Sequence, residues 1–381
     1  MNGETERRGV LDGVRVADFS RVLAGPYATM TLADFGADVL KIEPPDGDDT
    51  RHWHPPVDAD GTATYFGSVN RNKRSVALDL TVESDRAQAL RLAGTADVVV
   101  ENFRPGVMER FGLDYAAVHA VNPGVVYCSL TGFGEGPGAS LAGYDLLVQA
   151  VGGLMSITGD PEGTSAKAGV ALVDVLCGQN AVSGILLALR ERDRTGLGQR
   201  VEVSLLQSLL SALTNQAAST LATGVPPRRL GNQHPSIAPY ALFRAADRDL
   251  VIAVGNDKQF RALVGALGRP SLASDPRFLR NADRVAHRDA LTTLIESDLA
   301  DAEAAHWVDL FRAAGIPAGL VHDVAEAISF AEDLDLDPVV ALGSSRTIAN
   351  PIRLGNAPAS YRTPPPALND SAPAAWRTER T

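Results

Sequence analysis

The first 130 residues alternate short apolar runs with helix-like stretches, and this alternation constrains the fold more than any other feature of the chain. The runs "VRVADFS" from Val14 and "ADVLKIE" ending at Glu43 flank "GPYATMTLADFG", which Pro26 and Gly36 bracket as a helix. The rhythm returns with "SVALDL" from Ser75, a helical segment over 82–93, "ADVVVENF" from Ala96, a short helix after Pro105, and "GVVYCSL" from Gly124. Strands that alternate with helices have the crossovers that parallel pairing requires. The pattern therefore predicts a mostly parallel sheet covered by helices on both faces.

From Tyr144 the pattern turns helical, and after Asp174 a long amphipathic stretch, "VLCGQNAVSGILLALRERDRTG", ends in a charged turn and Gly196. Between about 215 and 334 the character changes. A Pro/Arg/Gly-rich stretch, "GVPPRRLGNQHP", precedes a hairpin candidate, "YALFRAADRDLVIAVG", and helices are expected over 259–267, 286–299 and 302–314. The expected organisation is a large domain of 1–214 and 335–381 with a small domain of 215–334. The Pro- and Ala-rich close, "RLGNAPASYRTPPPALNDSAPAAWRTERT", reads as an extended return strand and tail.

A net charge of −11 argues against nucleic acid or an anionic membrane surface as the main partner. Two cysteines, Cys128 and Cys177, are too few for a disulfide framework and suggest a reducing compartment. The opening "MNGETERRGV" lacks the apolar core of a leader, and no run reaches the roughly 18 consecutive apolar residues of a spanning helix. The expectation is a cytoplasmic chain.

The signatures GxxxxGK[ST], HExxH and GxSxG are missing, and the seven histidines are scattered. "TGFGEGPG" from Thr131 follows a strand but does not run into a helix at GxGxxG spacing, so a loop over a ligand fits it better than a dinucleotide cradle. Arg51, Arg71, Lys73, Arg74, Arg104 and Arg110 gather near strand ends. They form either a solvated rim or, the reading an acidic chain favours, a site for an anionic, phosphate-bearing ligand. Asp174 stands in "KAGVALVDVLCGQ", a run of small and apolar residues. It suits a helix N-cap, with the helix dipole keeping it ionised, and a carboxylate held charged in a partly dry pocket is also a usable nucleophile.

Across "LDGVRVADFSRVLAGPYATMTLADFGADVLKIEPP", "NRNKRSVALDL", "VVENFRPGVMERFGL", "GYDLLVQAVGGLMSITGDP", "LRERDRTGLGQRVEVSLLQ" and "LGNQHPSIAPYALF" the chain resembles the family III CoA-transferases. This superfamily includes formyl-CoA transferase, carnitine CoA-transferase and α-methylacyl-CoA racemase. The resemblance implies an α/β fold with a Rossmann-like parallel sheet in the large domain, a smaller α+β domain, and an interlocked homodimer. It implies that CoA moves from an acyl-CoA to a free carboxylic acid, with the thioester as substrate and no bound cofactor or metal. Asp174 falls on the family's catalytic aspartate, which would pass through an anhydride and an aspartyl-CoA thioester. Val22 and Leu78 fall on CoA-lining positions, Asn102 and Phe103 beside the pantetheine, and Arg104 and Arg110 at the nucleotide end, with Lys73 and Arg74 as weaker candidates.

Tyr144 in "GYD" separates the branches. Racemases of this superfamily carry a histidine there as one of two opposed acid–base groups, and a glutamate in the segment matching "AVGNDKQF", where this chain has Asn256 and Asp257. The tyrosine implies the transferase branch. The alternatives are a 2-methylacyl-CoA racemase of the same fold, an NAD(P)-dependent oxidoreductase, and a CoA-binding protein without catalysis. Leu23 stands where formyl-CoA transferase has glutamine, Pro44 replaces a CoA-binding arginine, and "GNQHPSIAP" lacks the glycine flap. With these departures the resemblance does not support oxalate or formate specificity.

Overall fold

The computed structural model describes residues 9–371 and 374–377; residues 1–8, read above for a leader, and part of the closing tail lie outside them. The described chain divides into two compact units. The larger takes in the residues up to Leu154, Ala168–Val225 and those from Leu336 on; the smaller comprises Met155–Lys167 and Pro226–Asp335. The division after Val225, not at 214/215, follows from helix Thr214–Thr223, which continues from Leu205–Ala212 in the larger unit.

The larger unit is built on six strands: β1 (Arg15–Asp18), β2 (Asp38–Glu43), β3 (Lys73–Ala77), β4 (Val98–Glu101), β5 (Val126–Thr131) and β6 (Arg200–Ser204). Their spatial order is β3-β2-β1-β4-β5-β6, and every neighbouring pair is parallel. This is the doubly wound order, in which the chain returns across β1 to continue on its other side.

Adjacent strand residues go to opposite faces. Val16, Val98 and Val100 join a core with Ala28 and Leu32 of α1 (Ala24–Asp34) and with Val148 of α2 (Asp145–Val151). Cys177, Ala181 and Ile185 of α3 (Leu172–Thr195) complete that core. Ala17, Val99 and Tyr127 instead meet Ala89 and Leu92 of helix Glu83–Thr95 and Val118 of helix Tyr115–Val121. Each fully buried Leu or Ile contributes about 1.5–3 kcal/mol. α3 has the length and mean hydropathy of a membrane span, but its packing is that of a core helix against the sheet. Gly178 sets its approach to α1, because a Cβ there would stand 2.7 Å from the Ala24 carbonyl oxygen.

The closing stretch differs from expectation. A hairpin of β10 (Val339–Leu342) and β11 (Ser345–Ile348) precedes it, and the described residues beyond form no strand. They cover the open edge of β3 with irregular chain: the Asp370 and Asn369 side chains accept from Ser75 N and Ala77 N, and the Thr363 carbonyl from Asn72 N.

The smaller unit has its own core around an antiparallel sheet, β7 (Tyr240–Arg244), β8 (Asp249–Ala253) and β9 (Ala318–Leu320). Helices Asp257–Ala266, Arg288–Leu299 and Ala304–Ala313 cover it. Here Asn256 caps the first of these helices and Asp257 pairs with buried Arg284 at 2.7 Å.

Candidate active site

In a doubly wound sheet, ligands bind beyond the carboxyl ends of the strands where the order reverses, here between β1 and β4. A cleft of about 180 Å³ lies there. Its walls are the loop after β1 (Arg21–Ala24), the loop after β4 (Asn102–Pro105), the glycine-rich loop after β5, and Tyr144, Asp145 and Asp174. Glycine is required at the neck of the third loop: a Cβ on Gly132 would lie 2.5 Å from the Gly143 Cα, and one on Gly143 would lie 2.6 Å from the Gly132 Cα.

Asp174 sits in the first turn of α3, but it is not the N-cap. The helix starts at Leu172 after Ala171, and the groups a cap would satisfy are taken by Asp145, whose Oδ1 accepts from Val173 N (2.8 Å) and Asp174 N (3.3 Å). Asp145 Oδ2 accepts from buried Gln149 Nε2 at 2.6 Å, and Gln149 Oε1 in turn accepts from Ala168 N at 2.8 Å. The Asp174 carboxylate is thereby left on the cleft wall, and it accepts no hydrogen bond among the described residues. Nor does the helix dipole keep it readily ionised, as expected above: burial, and then the like charge of Asp145, push its pKa up to about 7. Sequence reasoning missed Asp145, whose signal was the acid directly after Tyr144 with a glutamine four residues on.

The sign of that shift makes a prediction. A carboxylate that attacks must be ionised, so for a nucleophilic role of Asp174 the expected result is turnover that falls as pH drops below about 7. Asp145→Asn keeps an oxygen for the helix N–H groups and removes the like charge. Its pH–rate profile is expected to keep its shape with the acid limb displaced to lower pH; an unmoved limb would show that Asp145 does not tune Asp174.

The basic cluster does not form the anion site that its position suggested. Arg51 is bidentate to Glu43 and Arg71 to Asp34, Arg74 shares one Nη2 between both Asp38 oxygens, and Lys73 is enclosed at 3.1 Å from Asp18. Carboxylates neutralise all four, and those facing Arg71, Lys73 and Arg74 are 36 or more positions away. Arg104 lines the cleft, joined by Arg21, whose guanidinium lies 5.1 Å from the Phe103 ring centroid. Arg110, exposed beside Phe111, stands outside the cleft lining.

Of the other expected residues, Val22, Asn102, Phe103 and Tyr144 line the cleft, Tyr144 with 66% of its surface exposed. Leu23 also lines it, supplying an apolar side chain. Leu78, 5% exposed, packs in the core with Phe19 and Leu92 and is not part of the lining. Tyr65 is a further neighbour: burial and then the charges of Asp174 and Asp145 raise its pKa, and its ring meets the edge of Trp53 at 5.1 Å.

A doubly wound α/β unit with a buried carboxylate of raised pKa on the wall of its switch-point cleft has the arrangement of a ligand-binding enzyme. Residues 11–372 match CoA-transferase family III, and the chain belongs to that family. It is 41% identical to an acetyl-CoA:oxalate CoA-transferase of Acetobacter aceti, over 98% of this chain and 96% of the relative. It is 40% identical to a succinate–glutarate CoA-transferase of Agrobacterium fabrum, over 97% of this chain and 96% of the relative. A crystal structure of a CAIB/BAIF family protein from Brucella suis superposes with a TM-score of 0.87 at 41% identity, covering 95% of this chain and 97% of that one. The chain is a CoA-transferase acting between acids, as the tyrosine at 144 implied.

Proposed function

We propose that the chain carries CoA from an acyl-CoA to a free carboxylic acid through covalent intermediates on Asp174. An Asp174 oxygen attacks the donor carbonyl, the C–S bond breaks, and CoA leaves as thiolate from a mixed anhydride. The thiolate then attacks the aspartyl carbonyl, releasing the donor acid as carboxylate and leaving an aspartyl-CoA thioester. The acceptor carboxylate attacks that thioester to form a second anhydride, and the expelled thiolate takes the new acyl group, restoring Asp174. No proton is gained or lost, and exchanging one thioester for another is close to thermoneutral. Backbone N–H groups of the cleft loops stabilise the tetrahedral oxyanions, and Tyr144 orients the thioester.

The observation that carries this reading is the Asp174 carboxylate on the wall of the switch-point cleft, relieved of capping by Asp145. The substrates named for the two relatives support a short dicarboxylic acid as acceptor or donor. The test is intact-protein mass spectrometry during turnover with a panel of CoA thioesters and dicarboxylates. A CoA adduct mapped to Asp174 is expected; full-speed exchange with position 174 unmodified would refute the mechanism.

An interlocked homodimer is part of the proposal, supported by apolar side chains exposed on the larger unit: Leu146, Leu147 and Val151 on α2 and Leu186 and Leu187 on α3. Sedimentation at micromolar concentration is expected to give twice the chain mass. A fully active monomer would exclude it.

A further inference from the structure

We propose that Asn102 is a positioning residue, acting through the backbone of the loop after β1 and not by touching substrate. The proposal rests on the reading of Asp174 as the nucleophile. That loop carries a β-branched residue, Val22, at φ 67°, in the left-handed region where a branched Cβ is strained. Such a conformation persists only where the surroundings over-determine it, and here side chains from three other segments do so. Asn102, just beyond β4, donates from Nδ2 to the Arg21 carbonyl at 2.7 Å and accepts at Oδ1 from Arg21 N at 2.8 Å. Asp48, in the loop after β2, accepts from Val22 N at 3.2 Å. Lys41 of β2 donates to the Ser20 carbonyl and to Asp48, both at 2.9 Å.

A carboxamide is the side chain that can meet the N–H and the C=O of one peptide residue together. Asn102 uses one of its two N–H groups and its carbonyl oxygen in this way, joining the loops after β1 and β4 across the switch point. The Asp48 and Lys41 contacts hold the flanking peptides but leave the backbone of Arg21 to Asn102, while its guanidinium pairs with Asp49 at 3.6 Å. Val22, Leu23 and Ala24, whose placement follows from this clamp, share the cleft with Asp174. Attack on a thioester tolerates little displacement: an ångström of misplacement costs about 10²-fold in rate.

The experiment compares Asn102→Ala, Asn102→Asp and the double variant Asn102→Ala/Val22→Gly with the full-length wild-type enzyme. The readouts are kcat, KM for acyl-CoA, and the single-turnover rate of CoA adduct formation on the protein. Asn102→Ala is expected to lower kcat about 10–100-fold with KM within about threefold. Asn102→Asp, which can accept from Arg21 N but cannot donate to its carbonyl, is expected to fall between. Glycine adopts the left-handed conformation unaided, so Val22→Gly is expected to restore at least about fivefold to Asn102→Ala. A rise in KM with kcat unchanged would mean that Asn102 contacts CoA directly and would overturn the proposal, as would a kcat near wild type or no recovery in the double variant. If wild type forms no adduct at Asp174, the nucleophile reading fails. If wild type forms it and Asn102→Ala forms it equally fast, only the positioning role fails.

Discussion

Asp174→Asn is expected to lose about 10³-fold or more in turnover and, at the same time, to melt at a higher temperature than wild type above pH 7. The loss follows from the covalent role proposed for Asp174: an amide is a poor nucleophile and cannot carry the thioester. The stabilisation follows from the raised pKa. In the unfolded chain Asp174 ionises near 3.8, and in the fold, desolvated and facing Asp145, near 7. Between these values the folded state binds a proton that the unfolded state does not, so stability falls as pH rises through the window, and the full cost is present above about pH 7. At about 1.4 kcal/mol per unit the ceiling is about 4 kcal/mol, and solvent in the cleft reduces it to about 2 kcal/mol. Asparagine carries no such cost. Melting of the two proteins, compared from pH 4 to pH 8, is expected to coincide at the acid end and to separate by several degrees at the alkaline end. A separation independent of pH would show that Asp174 is not held against ionisation, and near-normal turnover would remove it from the mechanism. Stability surrendered at one residue for the sake of reactivity is a common trade at functional sites.

The same residue shows what the sequence could and could not convey. The alternation of apolar runs located five of the six parallel strands, because period-two patterning and Pro/Gly punctuation are local. The strand order, and with it the switch point, is not local. The isolation of Asp174 among apolar residues was visible, but its freedom from capping depends on Asp145, 29 positions earlier. The basic residues were misjudged for a related reason. A guanidinium in a sequence shows its charge but not its partner, and the partners of Arg71 and Arg74, Asp34 and Asp38, are 37 and 36 positions away. One local signal did exist. Lys41 interrupts a strand otherwise suited to burial, with Asp18 closing β1 and Lys73 opening β3, and a charge in a buried strand requires a charge opposite.

That network supports the last expectation, that Lys73→Met destabilises the protein by about 3–5 kcal/mol, the cost of breaking a buried ion pair from one side. Lys73 Nζ, wholly buried, donates to Asp18 Oδ2 at 3.1 Å, to the Pro26 carbonyl at 3.0 Å and to Asn70 Oδ1 at 2.9 Å. Burial lowers its pKa to about 8, with the charge of Asp18 opposing the fall, so at neutral pH it remains the cation that its partners need. Methionine fills the volume but leaves three acceptors without this donor, among them the carboxylate that accepts from Ser20 N and Thr29 Oγ1. Replacing Asp18 with asparagine in the same chain removes the uncompensated charge, so Lys73→Met/Asp18→Asn is expected to recover part of the loss, a non-additivity that the geometry requires. Urea unfolding of the four proteins measures it. A single-variant cost below about 1 kcal/mol, or strict additivity, would mean that the pair is not coupled. Because Asp18 also anchors Ser20, at the start of the loop that carries Val22, the weakened network is expected to loosen the cleft before the sheet itself unfolds. Transfer activity is then lost at a lower urea concentration than the far-UV signal, and coincident transitions would confine the role of Lys73 to global stability.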